Sequence, residues 1–586
     1  VPDLTADQAF QVGQAHQRAG RLRDAEYVYR QILAVHPCHA GALEYLGVLE
    51  TSAGHAERAV GLLRLAVHHA PRAPTAHFHL GNALKRAGQV VQAIAAYDAA
   101  IALRPGFLEA WNNRGNAQRS IDRLPDAVAS FEQAVAVAPN AFEPLNNLAL
   151  ALLDCGRRDE AFPVLQRVIA IKPEKSISHF QLGTLYAERG QPDLAVDSYR
   201  RAIAADPGFG EAYGNLANEL RNMGRHRESM PFFRKAVELL PASAEAHANL
   251  AVELLTEGDF TRGWEENEWR WKCKDFPSPQ RNFSQPQWDG SPLNSAQLLI
   301  HTEQGLGDSI QFIRYLPMIF ARAGLTEYTR SNAGRIILEC DSPLAELFQS
   351  IAPCSTAGVS IFRRGQPLPS FDLHCPLLSL PRIFQTRLQT IPANVPYLVP
   401  KPAEIDHWRQ RLESFGSQLK VGLAWAGSPL YKNDRTRSIR LEQFAPLAQM
   451  AGVHFFSLQK GPASEQLRTP PPGLRITDWS EEFGDLNQAA ALIANLDVVL
   501  TVDTATAHLA GALARPTWVL LPQPADWRWL LSRDDSPWYP TMRLFRQASP
   551  GDWSSVLQAV VAVLRKKVGE RYPNPVIAAG STGQSA

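Results

Sequence analysis

Three short stretches concentrate residue types that can do chemistry. Gln297 to Pro317 reads QLLIHTEQGLGDSIQFIRYLP, a short apolar run meeting a loop with Gly305, Gly307 and Asp308. A helical pattern follows, with Ile310, Ile313 and Leu316 on one stripe. Glycines at such a turn let backbone approach a ligand closely, and a helix start offers free N–H groups. A carboxylate there would repel a phosphate, so Asp308 better suits a base facing a hydroxyl acceptor. The second stretch, AGSPLYKNDRTR after Trp425, gathers Lys432, Arg435 and Arg437 with the Ser428 hydroxyl. It is either a clamp for a diphosphate or a solvated basic loop. The third, TVDTATAHLA from Thr501, leaves an apolar strand and enters a helix, bringing Thr504, Thr506 and free N–H groups towards a shared cleft. Asp503 could bind a sugar hydroxyl or only cap the helix, and His508 could face a ligand or pack.

The elements around these stretches alternate. Short apolar strands are predicted at Ile336–Cys340, Val359–Phe362 and Phe371–His374, then at Lys420–Trp425, Val453–Leu458, Leu496–Val502 and Thr517–Leu521. Helices are predicted at Leu441–Met450, Leu486–Asn495, Thr506–Leu513 and Asp552–Leu564. The series predicts two Rossmann-like α/β lobes, 296–390 and 406–565, joined by a proline-rich linker at 391–405 and facing across a cleft. The polar tail 566–586 is predicted to be disordered.

Upstream, the sequence repeats every 34 residues. Gly13, Gly47, Gly81, Gly115, Ala149, Gly183, Ala217 and Ala251 share one phase, and bulky residues such as Tyr29, Tyr97, Phe131 and Tyr199 share another. Prolines from Pro37 to Pro241 close the units. Two helices per unit with small residues at the crossing is the tetratricopeptide pattern, which predicts an all-α superhelix of seven to eight repeats over 5–275, capping helices included. Asn113, Asn147, Gln181, Asn215 and Asn249 fall at one position of successive repeats, with Asn82, Asn116 and Asn218 at a neighbouring phase. Stacked amides can hydrogen-bond an extended peptide whatever its side chains, or brace the helices themselves. Trp264, Trp269, Trp271 and Trp288 mark the array's end and are expected to pack it onto the next domain, with 276–295 as the linker.

Composition narrows the function. Fifty-nine Lys+Arg stand against 58 Asp+Glu in 586 residues, which argues against nucleic-acid or anionic-membrane binding. No apolar run reaches the roughly 18 residues of a membrane span. VPDLTADQAF lacks the basic and apolar regions of a secretory signal, and six scattered cysteines without a CxxC pair fit reduced thiols, so a cytoplasmic location is expected. No Asp-x-Asp motif lies near either glycine turn, so no metal is expected; Asp534-Asp535 are adjacent acids.

LGDSIQFIRYLP resembles the opening motif of glycosyltransferase family 9, the heptosyltransferase type, and VDTATAHLAGALARPTWVLL resembles its donor-lobe motif. The array plus two-lobed body also resembles the protein O-GlcNAc transferases and, more closely, bacterial flagellin glycosyltransferases. Pro429 stands where the O-GlcNAc transferases have a glutamine, so their donor is not implied. The resemblance implies a metal-independent, inverting GT-B transferase moving a sugar from a nucleotide-sugar donor, with no other cofactor, to Ser/Thr of a flagellin-like protein held by the amide-lined groove. It implies Asp308 as base and Lys432 on the donor phosphates. Gly305, Gly307, Ser428, Arg435, Arg437, Asp503, Thr504, Thr506 and His508 are assigned to the donor. The competing readings are a lipid or oligosaccharide acceptor and a non-catalytic scaffold. The donor is open between a UDP-hexosamine, a CMP-nonulosonic acid and others, the oligomeric state is open, and Trp425, Trp527 and Trp529 either stack a base or pack a core.

Overall fold

The computed structural model describes residues 4–323, 335–351, 359–430 and 434–571. They fall into two compact units, Val1–Ala212 and Tyr213–Ala586.

The first unit consists of paired helices, beginning with α1 (Ala6–Arg18) and α2 (Leu22–Val35). The two repeating phases of the sequence are one contact. A Cβ on Gly81 would lie 2.5 Å from the Tyr97 ring, and one on Gly115 would lie 2.6 Å from Phe131. Both aromatic side chains are fully buried. Each ring thus occupies the space a side chain on the partner helix would need, which fixes the distance between the paired helices. A further phase closes the first helix of each pair: Gly20, Gly54, Gly88, Gly156 and Gly190 all have positive φ. Asp122 takes the same left-handed turn, with φ 60°.

The second unit takes in the last of the solenoid helices: most of α13 (Gly210–Asn222), then α14 (His226–Leu239), α15 (Ala244–Glu257) and α16 (Phe260–Asn267). The division between the two units thus falls within α13, inside the stretch 5–275 expected as solenoid with capping helices. Leu255, Phe260 and Trp264 share a hydrophobic core with Trp288, Phe312, Trp527 and Trp538, so the final repeat is built into the α/β body.

That body holds two all-parallel sheets. The first contains β1 (Leu298–His301), β2 (Ile336–Cys340), β3 (Val359–Arg363) and β4 (Leu373–Pro376) in the order β3-β2-β1-β4. The second contains β5 (Leu419–Ala424), β6 (Val453–Ser457), β7 (Ile476–Asp478), β8 (Val498–Val502), β9 (Thr517–Leu521) and β10 (Met542–Arg546), ordered β10-β9-β8-β5-β6-β7. Every residue of β8 and β9 is buried, as strands covered on both faces require. Counted from β5, this is the doubly wound order 3-2-1-4-5-6, whose switch point lies between β5 and β8. The sequence did not reveal β7 and β10: one is three residues long, and the other has Arg543 and Arg546 among its five residues, which interrupt the apolar run. Leu441–Gln449, expected as an α-helix, is a 3-10 helix containing Pro446. The final helix runs Trp553–Arg571, so 566–571 is helical rather than disordered, while 572–586 lie outside the described residues. Among the described residues no helix is long and apolar enough to cross a membrane.

Candidate functional site

The loop after β1 leads into α17 (Leu306–Phe312), which packs directly against the Ala505–Ala512 helix that follows β8. Gly307 makes this approach possible: a Cβ there would sit 2.9 Å from His508 Cδ2 and 3.5 Å from Ala505 Cα. Gly307 is therefore placed against a protein helix, not against open space for a donor. His508 is likewise corrected from ligand to packing group. It is 5% exposed, its Nδ1 lies 3.0 Å from the Tyr539 hydroxyl, and its ring stacks on Trp529. Burial, with the positive charges of Arg528, Arg314 and Arg437, pushes its pKa well below the ordinary range, so the imidazole is neutral.

Asp308 occupies the first turn of α17, and both of its oxygens are engaged. Oδ2 accepts from the Gly305 N–H at 2.9 Å, and Oδ1 is paired with Arg528 Nη2. Its side chain is 17% exposed, so a small group can still reach it. Arg528 comes from the turn Trp527–Trp529 beyond β9. Its Nη1 donates to Asp526 at 2.9 Å and its Nε to Gln311 at 2.7 Å. Burial opposes the guanidinium charge, but Asp526 and Asp308 outweigh it and hold its pKa above the ordinary range. The sequence reading missed Arg528, because a single arginine between two tryptophans carries no pattern.

Asp503 follows β8 at the edge of the same group. Burial first, and the Asp526 charge second, raise its pKa to about 6. A folded-state value above the unfolded one means that the carboxyl favours folding while protonated, and this contribution fades as pH rises from about 4 through 6. Asp503→Asn is accordingly expected to stabilise the protein by about 3 kcal/mol near neutral pH, and by about half as much near pH 5. Denaturant melts at the two pH values check this; an equal effect at both would contradict it.

Across the switch point, Gln459 fixes the start of the β5 loop, accepting from the Trp425 and Ala426 N–H groups at 3.0 and 2.9 Å. Arg437 crosses the backbone at Gly427, where a Cβ would lie 2.6 Å from its Nη2, and pairs with Asp434 at 3.2 Å. Ser428 and Arg435 are exposed. Lys432, the expected phosphate ligand, lies outside the described residues with its two neighbours. Gly305 and Thr504 occupy the N-cap positions of α17 and the Ala505–Ala512 helix, and Thr504 Oγ1 lies 3.2 Å from Thr501 Oγ1. Thr506 is half-buried in the first turn. Trp425 and Trp529 are fully buried and Trp527 is 9% exposed, so these rings pack cores and do not present a face for a base.

All five ladder amides are half-buried. In the first unit, Asn113 on α7 (Leu108–Ser120) donates to Asn82 at 2.8 Å, and Asn147 on α9 (Phe142–Asp154) donates to Asn112 at 2.9 Å. These bonds join successive repeats, so part of the amides' capacity braces the solenoid. Gln181 Oε1 on α11 (Ser176–Glu188) is buried with no hydrogen-bond partner. In the second unit, Asn215 stands on α13 and Asn249 on α15, and Arg221 donates to Asn218 at 2.7 Å and to Asn249 at 3.4 Å.

Six overlapping windows from residue 11 to 244 match the tetratricopeptide repeat family, and residues 484–521 match glycosyltransferase family 9 (heptosyltransferase). The second match contains β8, the Asp503 loop and β9. The chain thus carries tetratricopeptide repeats over residues 11–244, and part of its α/β body is similar to glycosyltransferase family 9. It is 29% identical over 326 residues to Protein FlbA of Caulobacter vibrioides, a match covering 53% of each chain, so it spans about half the length of that relative. Solved structures similar to it include YrrB, a TPR protein with an unusual peptide-binding site, at 21% identity and TM-score 0.30, covering 31% of this chain and 95% of that one. Another is the C-terminal part of a TPR repeat-containing protein from Cytophaga hutchinsonii, at 16% identity and TM-score 0.36, covering 41% of this chain and 99% of that one.

Proposed function

We propose that the protein is a metal-independent, inverting GT-B glycosyltransferase that moves a sugar from a nucleotide donor to a Ser/Thr hydroxyl of a flagellin-like protein in the cytoplasm. The observation that carries this reading is Asp308: a fixed, solvent-reachable carboxylate at the turn after β1, in the same body as the β5/β8 switch point. Asp308 takes the proton of the acceptor hydroxyl as its oxygen attacks the anomeric carbon, and the bond from that carbon to the donor phosphate breaks. Arg437, Lys432 and the N-terminus of the Ala505–Ala512 helix meet the charge of the departing phosphate. The amide-bearing helices present the acceptor chain, because side-chain amides bind a backbone without demanding a sequence.

Two measurements on the full chain test the reading. Thermal melts against a panel of UDP-, CMP-, GDP- and ADP-sugars are expected to show one class that raises the melting temperature. A panel without any shift would overturn the donor assignment. Replacing Asn113, Asn147, Asn215 and Asn249 together with alanine is expected to lower protein modification by about tenfold or more, leaving the donor-induced shift in place. Unchanged modification would remove the solenoid from acceptor binding.

A further inference from the structure

We propose that Arg528 is the positioning residue for Asp308 and that the terminal solenoid helices hold it in place; this rests on the reading of Asp308 as the base. The carboxylate is tied at both ends, by the Gly305 N–H on Oδ2 and by Arg528 on Oδ1. Its plane is thereby fixed, while each oxygen keeps a second lone pair for an incoming hydroxyl. Arg528 also takes Gln311 Oε1, one turn further along α17. Asp308 and Gln311 are three residues apart and share a helix face, so a planar guanidinium engages both only when α17 and the Asp526–Trp529 turn are in register. A base held this way is correctly aimed only when the two sheets are correctly placed.

Arg528 is itself held from two sides. Asp526 accepts from its backbone N–H at 3.0 Å as well as from Nη1. The neighbouring Trp527 is wedged edge-on against Trp264, with centroids 5.3 Å apart at 88°, and against Phe260 at 6.5 Å. The guanidinium carbon lies 4.4 Å from the centroid of the Trp527 ring. Helix α15 packs on the same turn, and Gln523 from the start of this loop fills the space beside Gly224. One loop, Gln523 to Leu530, thus joins the last repeat to the carboxylate. Three of the guanidinium's five N–H groups are committed to Gln311, Asp526 and Asp308, which holds its plane against both partners.

The test uses Arg528→Gln, Arg528→Lys, Asp308→Asn and the Arg528→Gln/Asp308→Asn double variant in the full chain. Melting shifts of the two single changes are expected to be non-additive, the double variant losing less than their sum; simple additivity overturns the clamp, whatever the donor proves to be. With the panel sugar that stabilises the protein, Arg528→Gln is expected to lower kcat by about 10²-fold with KM unchanged, and Arg528→Lys to recover part of the loss. A loss confined to KM would overturn the proposal and make Arg528 a donor ligand. Phe260→Leu is expected to lower kcat several-fold at constant KM, and an unchanged kcat would remove the solenoid helices from the assignment. Undiminished turnover in Asp308→Asn would instead defeat the base reading, even with non-additive melts.

Discussion

Asp308→Asn is expected to reduce sugar transfer by about 10²- to 10⁴-fold while leaving the donor-induced rise in melting temperature largely intact. Asparagine keeps the shape of the side chain and can still accept from the Gly305 N–H at the head of α17. What it loses is the lone-pair basicity that would take the hydroxyl proton, and the negative charge facing Arg528. The guanidinium retains Asp526 and Gln311, so the fold is expected to tolerate the change. Transfer to the acceptor protein and the donor-dependent melt, measured on the same sample, separate chemistry from binding. Full turnover in the variant would sink the assignment.

The second large effect is on stability. Arg270, at the end of the solenoid helices, grips Glu303 in the loop that carries Asp308, with Nε–Oε2 at 3.1 Å and Nη2–Oε1 at 2.7 Å. The two side chains are 5% and 0% exposed. The Leu378 N–H donates to the same carboxylate at 3.1 Å, and Ser379 Oγ accepts from the arginine at 3.0 Å. Arg270→Met leaves a buried, uncompensated carboxylate and is expected to cost about 3–5 kcal/mol, whereas Arg270→Met with Glu303→Leu should recover most of that loss. Burial already raises the Glu303 pKa, with Arg270 opposing it. Protonation therefore favours the folded state, and stability from this group falls as pH rises from about 4.3 through the raised value. Removing Arg270 widens that window, so the variant's deficit should shrink on acidification. Denaturant melts of the single and double variants at neutral and mildly acid pH check both points; a double variant as weak as the single would contradict the account.

The repeats were legible because their signal is periodic and local: Gly81 and Tyr97 recur together whenever two helices must cross closely. The strand–turn–helix around Asp308 was legible for the same reason. Arg528 was not, because its partner lies 220 residues away and nothing in the spacing of either residue reports the other. Gly307 shows a subtler limit. A glycine kept bare for a ligand and one kept bare for a neighbouring helix look identical in a sequence, and here the neighbour is His508. The division between the two units was not legible because the 34-residue pattern continues unbroken through α13–α15, while Leu255, near the end of α15, joins the core of the α/β body.

That division bears on how the length of the repeat array can vary. A gain or loss of whole 34-residue units upstream of Tyr213 alters the length of the amide-bearing array yet leaves the core of Leu255, Phe260 and Trp264 untouched. The final repeat has no such freedom, since any change in its packing is felt at Trp527 and one residue later at the arginine. Lineages of such proteins would then vary in repeat number while keeping an invariant last unit, inherited with the body as a single cassette.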